Sequence, residues 1–248
     1  AAAGLRRRNG TGRVDSGAVV AAASMTRGTL VFDVGGVVLR WQPLQLMQQV
    51  FPQRAHDETS AKAVAAAIFQ GLTPDADWGE FDRGRIEPDA LAERIAARTG
   101  IAVQGIQALI AAIPGHIQPM PASVALLERA RAAGQRLTLL SNMPRPLADH
   151  IEAAHACFSW FEAGVFSGRV GLMKPERAMF DHAREALALD LDHALFIDDH
   201  PANVDAARAA AGLDRFNVRQ DENGGFLVAG GVYLTREVYV EVARTGLG

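Results

Sequence analysis

The sequence predicts an α/β fold in which a doubly wound parallel sheet carries a block of helices inserted after its first strand. Short apolar runs alternate with helical patterns over most of the chain, which is typical of a parallel sheet covered by helices. One long segment, residues 41–118, instead contains helical patterns in succession. The chain has 248 residues, 49% of them hydrophobic and 21% charged, a composition that indicates a globular protein with a large core.

The predicted strands are short apolar runs, several of which end at polar residues. The first run, TLVF, is followed by Asp33 and by a pair of glycines that indicates a tight loop. The second run follows a helical pattern that Gly134 closes. The strands are predicted at 29–32, 136–140, 164–166, 194–197 and 215–218, the third and the fifth on weaker patterns. Helices are predicted at 123–133, 146–156, 176–188 and 202–211.

The segment between the first two strands is longer than a crossover needs, since a dozen or so residues are enough to connect parallel strands. We therefore predict a separate helical cap at 41–118 and an α/β core made of 28–40 and 119–220. The alternative is that these helices only cover one face of the sheet. Their patterns lie at 43–51, 58–69, 75–81, 87–100 and 105–113.

The two ends of the chain differ from its middle. Residues 1–27 contain five arginines and one aspartate, a charge of +4 in a chain whose net charge is −3. We expect this stretch to be an extension outside the fold, without a fixed structure. Residues 221–248 form a tail of unassigned role, in which 232–242 alternates in a way that fits either an edge strand or a helix.

Composition and spacing argue against several classes of protein. A net charge of −3 gives no basic surplus for binding nucleic acid. One cysteine, Cys157, excludes an internal disulfide and a CxxC metal site, and fits a reducing, cytoplasmic location. Apolar runs are shorter than the ~20 residues that span a bilayer. The seven histidines have no HxH or HExxH spacing and no GxGxxG or Walker loop is found, so neither zinc nor a nucleotide cofactor is expected.

Polar side chains follow three of the predicted strands where each strand ends, and a lysine lies in a nearby loop. In open parallel sheets ligands bind at the carboxyl ends of the strands, so we expect these side chains to meet. Carboxylates suit Mg²⁺, and a lysine and a hydroxyl suit a phosphoryl group. The sequence therefore predicts a Mg²⁺ and phosphoryl site built from Asp33, Ser141, Asn142, Lys174, Asp198 and Asp199.

Each of these residues also has a purely structural interpretation. Asp33 could be a turn or cap residue, Lys174 a surface lysine, and Asp199 a loop carboxylate. Ser141 and Asn142 could cap the helix that follows them. Because the N-terminus of a helix also binds anions, a capping role there is compatible with a phosphoryl site.

Four segments of the chain, FDVGGVVL, LLSN, GLMKPE and FIDDHPANV, resemble the four ordered motifs of the haloacid dehalogenase-like hydrolase superfamily. Their spacing also fits, with 108 residues from Asp33 to Ser141, 33 more to Lys174 and 24 more to Asp198. The first gap is what a helical cap of the C1 type, found in subfamily IA, would produce. The resemblance covers about residues 28–219 and implies a Rossmann-like core.

The resemblance implies a role for each site residue. Asp33 would be the nucleophile that forms an aspartyl-phosphate. Mg²⁺ would be held by Asp33, Asp198 and the backbone carbonyl of Gly35. The phosphoryl oxygens would be bound by Ser141 and the backbone N–H of Asn142, with Lys174 neutralising charge on the nucleophile and the phosphate. Asp199 would orient Lys174 or a metal-bound water.

The first motif departs from that of most phosphatases in this superfamily, which read Asp-x-Asp and use the second acid to protonate the leaving group. The corresponding place here is Gly35, and losing a general acid typically costs ~10²–10⁴-fold in rate. Three explanations are open. In the first, the chain resembles an Asp-x-Gly branch, similar to small-sugar-phosphate phosphatases, in which water or the substrate substitutes for the acid. In the second it prefers esters whose leaving groups need little help, and in the third it binds phosphate without turnover.

The resemblance implies Mg²⁺-dependent hydrolysis of small phosphate monoesters, sugar phosphates in particular. The competing class is a catalytically silent protein that binds a phosphorylated metabolite or a protein partner. A 2-haloacid dehalogenase is less well supported, because that first motif resembles Asp-x-Tyr-Gly and the fourth is Ser-rich, whereas this chain has Gly35, Asp198 and Asp199. We expect a small phosphate ester as ligand, no nucleic acid or membrane partner, and a monomer or homodimer.

Substrate choice is expected to depend on the cap. Its segment WGEFDRGRIEPDALAERI resembles the cap of the Asp-x-Gly branch, which makes Trp78, Phe81, Arg83 and Arg85 candidate substrate contacts. The alternatives are that the two aromatic residues form the cap core and that the two arginines are solvated. Two further residues have two interpretations each: Trp41 packs at the junction of core and cap or touches substrate, and His200, beside Asp199, lies in a plain loop or reaches the site.

Overall fold

In this computed structural model the described residues are 28–212 and two short strands at 217–220 and 226–229. Four parallel strands form one sheet: β1 (Thr29–Phe32), β2 (Arg136–Ser141), β3 (Ala163–Phe166) and β4 (Ala194–Ile197). Their order across the sheet is β3-β2-β1-β4. Because β1 lies between β2 and β4, the three strands followed by predicted site residues have neighbouring carboxyl ends. The predicted α/β fold class is confirmed.

The described residues contain ten α-helices, six of them between β1 and β2, and the first five of these six form the inserted block. These five are α1 (Pro43–Val50), α2 (Glu58–Phe69), α3 (Asp77–Asp82), α4 (Pro88–Thr99) and α5 (Val103–His116). The others are α6 (Pro121–Ala132), α7 (Arg145–Ala154), α8 (Ser167–Val170), α9 (Arg177–Ala186) and α10 (Pro201–Ala210). None of these ten helices has the length and hydropathy that crossing a membrane requires.

Helices cover both faces of the parallel sheet. Leu30 and Phe32 belong to one core cluster and Val31 to another, because successive side chains of a strand point to opposite faces. The cluster around Val31 is completed by residues of α9 and α10. The larger cluster around Phe32 takes in α6, α7 and the inserted helices. This layering is the doubly wound arrangement expected of alternating strands and helices.

The five inserted helices pack mainly on one another, α1 against α2 and α5, and α4 against α3 and α5. The chain leaves and re-enters the α/β part at one place, because the segments flanking the insertion pair with each other. The backbone N–H of Arg40 donates to the carbonyl of Gln118 at 2.8 Å, and that of Met120 to the carbonyl of Val38 at 3.0 Å. These bonds support boundaries near residues 41 and 118, and a separate cap domain remains a prediction.

The expected fifth strand, at 215–218, is not part of the parallel sheet. Strand β5 (Asn217–Gln220) pairs antiparallel with β6 (Phe226–Ala229) in a separate two-stranded sheet. Five residues separate these strands, DENGG, which suits a hairpin and is too short for a parallel crossover. The predicted extension 1–27 and the alternating segment 232–242 lie outside the described residues.

Candidate active site

Asp33 lies directly after β1, in the centre of the sheet edge. Its backbone N–H donates to the carbonyl of Ile197 at 2.8 Å, which continues the pairing of β1 with β4 by one residue. Its Oδ1 accepts a hydrogen bond from the backbone N–H of Val34 at 2.7 Å. The first bond fixes the backbone of Asp33 and the second its side chain, and the residue is almost fully buried.

Lys174 joins two of the predicted acids. Its Nζ lies 2.9 Å from Asp33 Oδ1 and 2.6 Å from Asp198 Oδ2, and the lysine is 1% exposed. Burial by itself would lower the pKa of the Lys174 ammonium, but attraction to Asp198 and Asp33 outweighs it and raises the pKa. The alternative that Lys174 is a surface lysine is therefore wrong.

Asp198 is held by the residues that begin α10. Its Oδ1 accepts hydrogen bonds from the backbone N–H of His200 at 2.8 Å and from Asn203 Nδ2 at 3.0 Å. Sequence reasoning missed Asn203, although it lies within the quoted motif FIDDHPANV. The available signal is its spacing, because a residue in the first turn of a helix that starts at Pro201 is close to the strand end before it.

Asp199 completes a group of three carboxylates. Oxygen atoms of Asp33, Asp198 and Asp199 lie within 4.8 Å of one another. The position of Asp199 depends on Gly36, which has a φ of +80° and where a Cβ would lie 2.2 Å from Asp199 Oδ2. A side chain at Gly36 would therefore displace this carboxylate. Lys174 bonds to the other two acids, Asp33 and Asp198. That Asp199 orients Lys174 or a metal-bound water stays a prediction.

The electrostatics of this cluster favour an added cation. Burial raises the pKa of Asp33 to about 7, with Lys174 opposing the increase and Asp198 and Asp199 adding to it. With all three acids ionised, Lys174 balances one of three negative charges. Oxygen ligands with an uncompensated negative charge are what a hard divalent cation binds. The residues present therefore fit Mg²⁺.

The last residue of β2, Ser141, and the next residue, Asn142, lie at the same site, as predicted. Ser141 is buried and lines a cavity together with Asp33 and Gly35. The side chain of Asn142 bonds to the backbone of Lys174 in both directions, donating to its carbonyl and accepting from its N–H, each at 2.8 Å. The sequence predicted a role only for the backbone N–H of Asn142. It did not predict that the Asn142 side chain positions Lys174.

The cavity above the cluster has a volume of about 480 Å³. Its polar floor contains Asp33, Ser141, Lys174 and Asp199. Its walls are mostly apolar side chains from the inserted helices, from the start of α7 and from nearby loops. The largest of these include Leu39, Trp41, Trp78, Phe81, Ile113 and Leu147. A ligand in this cavity would meet charged groups at one end and hydrocarbon over most of its remaining surface.

The candidate residues of the inserted helices divide into two groups. Trp78 and Phe81 are buried and line the cavity, with ring centroids 5.7 Å apart. Arg83 does not line it: its guanidinium is buried in an ion pair with Glu176. Arg85 lies on the surface and pairs with Glu80 at 3.0 Å, so neither arginine is placed to bind substrate.

Trp41 and His200, each with two interpretations from the sequence, also line the cavity. Trp41 packs edge-to-face on Phe69, with ring centroids 5.8 Å apart, and forms part of the cavity wall. His200 lines the cavity as well, next to Asp199. For both residues the position on the cavity wall favours the alternative in which they reach the site.

Known proteins show the same fold and related sequences. The sesquiterpene phosphatase astK of Aspergillus oryzae is 25% identical over 179 residues, which cover 72% of this chain and 84% of that protein. The magnesium complex of the HAD family enzyme bt-2542 from Bacteroides thetaiotaomicron has a TM-score of 0.56 at 21% identity, covering 74% of this chain and 89% of that one. The L-2-haloacid dehalogenase RSc1362 has a TM-score of 0.62 at 16% identity, covering 88% and 98%.

The two structural neighbours establish the fold and leave the reaction open, because one architecture hosts many chemistries. The match to a family is more specific: the haloacid dehalogenase-like hydrolase family matches over residues 28–211, which contain all four quoted motifs. The superfamily resemblance found in the sequence is thus confirmed, and the chain belongs to the haloacid dehalogenase-like hydrolases.

Proposed function

We propose that this hydrolase cleaves phosphate monoesters whose organic group is largely apolar, through an aspartyl-phosphate on Asp33. One observation carries the proposal: the Asp33 and Lys174 pair lies in the floor of a cavity whose walls are mostly apolar. The floor suits a phosphoryl group, and the walls suit a hydrocarbon chain or ring system.

In the first step the Asp33 carboxylate attacks phosphorus, and the bond from phosphorus to the organic oxygen breaks. Ser141 and the backbone N–H of Asn142 bind phosphoryl oxygens, and Lys174 neutralises charge that builds up on them. In the second step water attacks the phosphorus of the aspartyl-phosphate, which releases inorganic phosphate and restores Asp33.

The site is proposed to hold Mg²⁺ through Asp33, Asp198 and the backbone carbonyl of Gly35, with Asp199 beside them. When bound, the cation supplies positive charge that stabilises the phosphoryl oxygens and keeps Asp33 ionised. The three close carboxylates support this assignment. The magnesium complex of bt-2542, a protein of the same fold, supports it as well.

The walls favour an apolar ester over the sugar phosphate expected from the resemblance. A sugar hydroxyl that loses its water without gaining a partner costs about 1–3 kcal/mol. Apolar walls offer few such partners, whereas each buried CH₂ group of a ligand gains about 0.8 kcal/mol. The relative astK is by name a sesquiterpene phosphatase, and that name points to the same class of substrate.

Alkyl phosphates of increasing length test the substrate class. We expect kcat/KM to rise about two- to fourfold per added CH₂ group until the cavity is filled. The kcat/KM of decyl phosphate should then exceed that of glucose phosphates by about 100-fold or more. The decyl chain buries hydrocarbon against the apolar walls, whereas sugar hydroxyls would lack hydrogen-bond partners there. Initial rates of phosphate release with Mg²⁺, at concentrations below micelle formation, measure this. A glucose phosphate as the best substrate would contradict the proposal.

A wall variant and its neighbour provide the matched control. Ile110 lines the cavity from α5, whereas the adjacent Ala111 is exposed. Ile110→Asn is expected to flatten the dependence on alkyl chain length, because it places a polar group in the apolar wall. Ala111→Asn should leave that dependence unchanged.

A dehalogenase is a weaker candidate. The likeness to RSc1362 concerns the fold, and the cluster of three carboxylates around Lys174 favours phosphoryl chemistry with a cation. A catalytically silent binding protein is tested by the turnover experiments described in the Discussion.

A further inference from the structure

The proposed reaction leaves one group unaccounted for, the acid that protonates the leaving oxygen. An alkyl alcohol is a poor leaving group unless its oxygen receives a proton as the bond breaks. In this chain Gly35 has no side chain to supply it, and a Cβ at Gly35 would have no atom within 4 Å. The place of the usual acid is therefore open space, and a proton for the leaving oxygen has to come from another source.

A buried carboxyl group of the inserted helices lines the same cavity. Asp82 is the last residue of α3, is 6% exposed, and lines the cavity together with Asp33 and Gly35. Its surroundings are the apolar walls formed by Trp78 and Phe81. It makes no part of the carboxylate cluster, whose members are the three acids at the strand ends.

The backbone of Asp82 is hydrogen-bonded, through Ser167, to the chain segment that follows the phosphoryl-binding residues. Ser167 Oγ donates to the carbonyl of Asp82 at 2.6 Å and accepts from the backbone N–H of Met143 at 2.7 Å. Met143 follows Ser141 and Asn142 directly in the chain. One hydroxyl therefore links the end of α3 to the loop after β2.

The residue after Asp82, Arg83, connects the same end of α3 to the loop that contains Lys174. Arg83 Nη1 donates to Glu176 Oε2 at 2.7 Å, and the second guanidinium nitrogen pairs with the other oxygen of Glu176. Glu176 lies two residues after Lys174. Both loops of the phosphoryl site thus hold the end of α3, which fixes the position of Asp82 relative to Lys174 and Ser141.

We propose that Asp82 is the proton donor to the leaving group and supplies the acid function absent at Gly35. This inference rests on the proposed phosphatase function. As the bond from phosphorus to the organic oxygen breaks, its electron pair goes to that oxygen, which takes the Asp82 proton and leaves as an alcohol. The Asp82 carboxylate then takes a proton from the water that attacks the aspartyl-phosphate, so the cycle closes with Asp82 again protonated.

The ionisation of Asp82 suits this role. Burial raises the pKa of Asp82 to about 8, only partly opposed by the hydrogen bond that the Trp78 indole donates to it. The group therefore carries a proton at neutral pH, as a donor must. The other ionisable groups on this cavity are those of the floor and its rim, Asp33, Lys174, Asp199 and His200.

The test compares two substrates in Asp82→Asn. We expect kcat for decyl phosphate to fall by ~10²–10⁴-fold, the usual contribution of a general acid. The rate with p-nitrophenyl phosphate should change by less than about threefold, because nitrophenolate leaves without protonation. Equal losses with both substrates, or no loss with either, would overturn the proposal. A series of aryl phosphates extends the test, since the rate should depend more steeply on the pKa of the phenol in the variant.

The controls separate this proposal from the function on which it rests. Asn keeps the size and the neutral state of Asp82, so the variant should retain the circular dichroism spectrum of the wild type. Glu93→Gln alters an exposed residue of the neighbouring α4 that does not line the cavity, and it should leave both rates unchanged. If the wild type with Mg²⁺ hydrolysed neither ester, the proposed function would fail. If it hydrolysed both and Asp82→Asn kept the decyl phosphate rate, only the role of Asp82 would fail.

Discussion

Asp33→Asn is expected to lower the hydrolysis of p-nitrophenyl phosphate by at least ~10³-fold while the fold is retained, because an amide cannot act as the nucleophile. The substitution keeps an oxygen that can accept from the backbone N–H of Val34, as Asp33 Oδ1 does at 2.7 Å. It also removes a desolvated carboxyl group whose pKa burial raises to about 7. The protein should therefore remain folded, which thermal unfolding followed by circular dichroism measures.

This substrate is chosen because its leaving group needs little protonation, so the glycine at position 35 does not limit the rate. Asp192→Asn is the matched control, since Asp192 is exposed and lies away from the cavity. It should retain the wild-type rate. Turnover by Asp33→Asn at the wild-type rate would show that the nucleophile is another group. A well-folded wild type without turnover in the presence of Mg²⁺ would instead favour the silent binding protein.

Lys174→Met is expected to reduce both activity and stability. Activity should fall by ~10²–10³-fold, as when one group that stabilises transition-state charge is removed. Stability should fall by about 3–5 kcal/mol without metal, because breaking a buried ion pair leaves a charge without its partner. Both effects follow from the 1% exposure of Lys174 and its contacts of 2.9 and 2.6 Å with Asp33 and Asp198.

The loss of stability should be partly reversed by Mg²⁺, because a bound cation replaces the positive charge that Met lacks. The measurement is the shift in unfolding temperature on adding Mg²⁺, which should be larger in Lys174→Met than in the wild type. Lys62→Met serves as the control, since that lysine is exposed and pairs with Glu58 along α2. An equal Mg²⁺ shift in wild type and Lys174→Met would contradict the assignment of the metal to this cluster.

The position of the site could be predicted from the sequence because it depends on local order along the chain. Asp33 and Ser141 follow directly after buried runs, and parallel strands place such residues at one edge of the sheet. The order of the four motifs predicted that the loop containing Lys174 lies at the same edge. The fifth strand was misplaced, because an apolar run indicates a strand but does not say which partner it pairs with.

The contacts between the inserted helices and the core could not be predicted in the same way. The pairing of Arg83 with Glu176 and the burial of Asp82 depend on residues more than 80 positions away in the chain. In the sequence, Asp82 and Arg83 look like any two charged residues at the end of a helix. Only packing shows that one is an anchor and the other a buried acid in the cavity.

The character of the substrate is the clearest case of information that the sequence does not display. The sugar-phosphate expectation came from the resemblance of the first motif, which concerns the phosphoryl group alone. The walls proposed to contact the rest of the substrate are formed by residues such as Trp78 and Ile113, whose apolar nature is equally typical of a helix core. Their position around one cavity is a property of the tertiary structure.

Catalysis is proposed to pass through a covalent phosphoryl group on Asp33, and this group can be trapped chemically. The enzyme would be quenched in acid during its first turnover with Mg²⁺ and p-nitrophenyl phosphate, reduced with borohydride, and digested for peptide mass spectrometry. Reduction of an aspartyl-phosphate yields homoserine, so we expect homoserine at position 33 in samples with substrate and none in samples without it. Unmodified Asp33 at every quench time, or homoserine at another aspartate, would contradict the proposed mechanism.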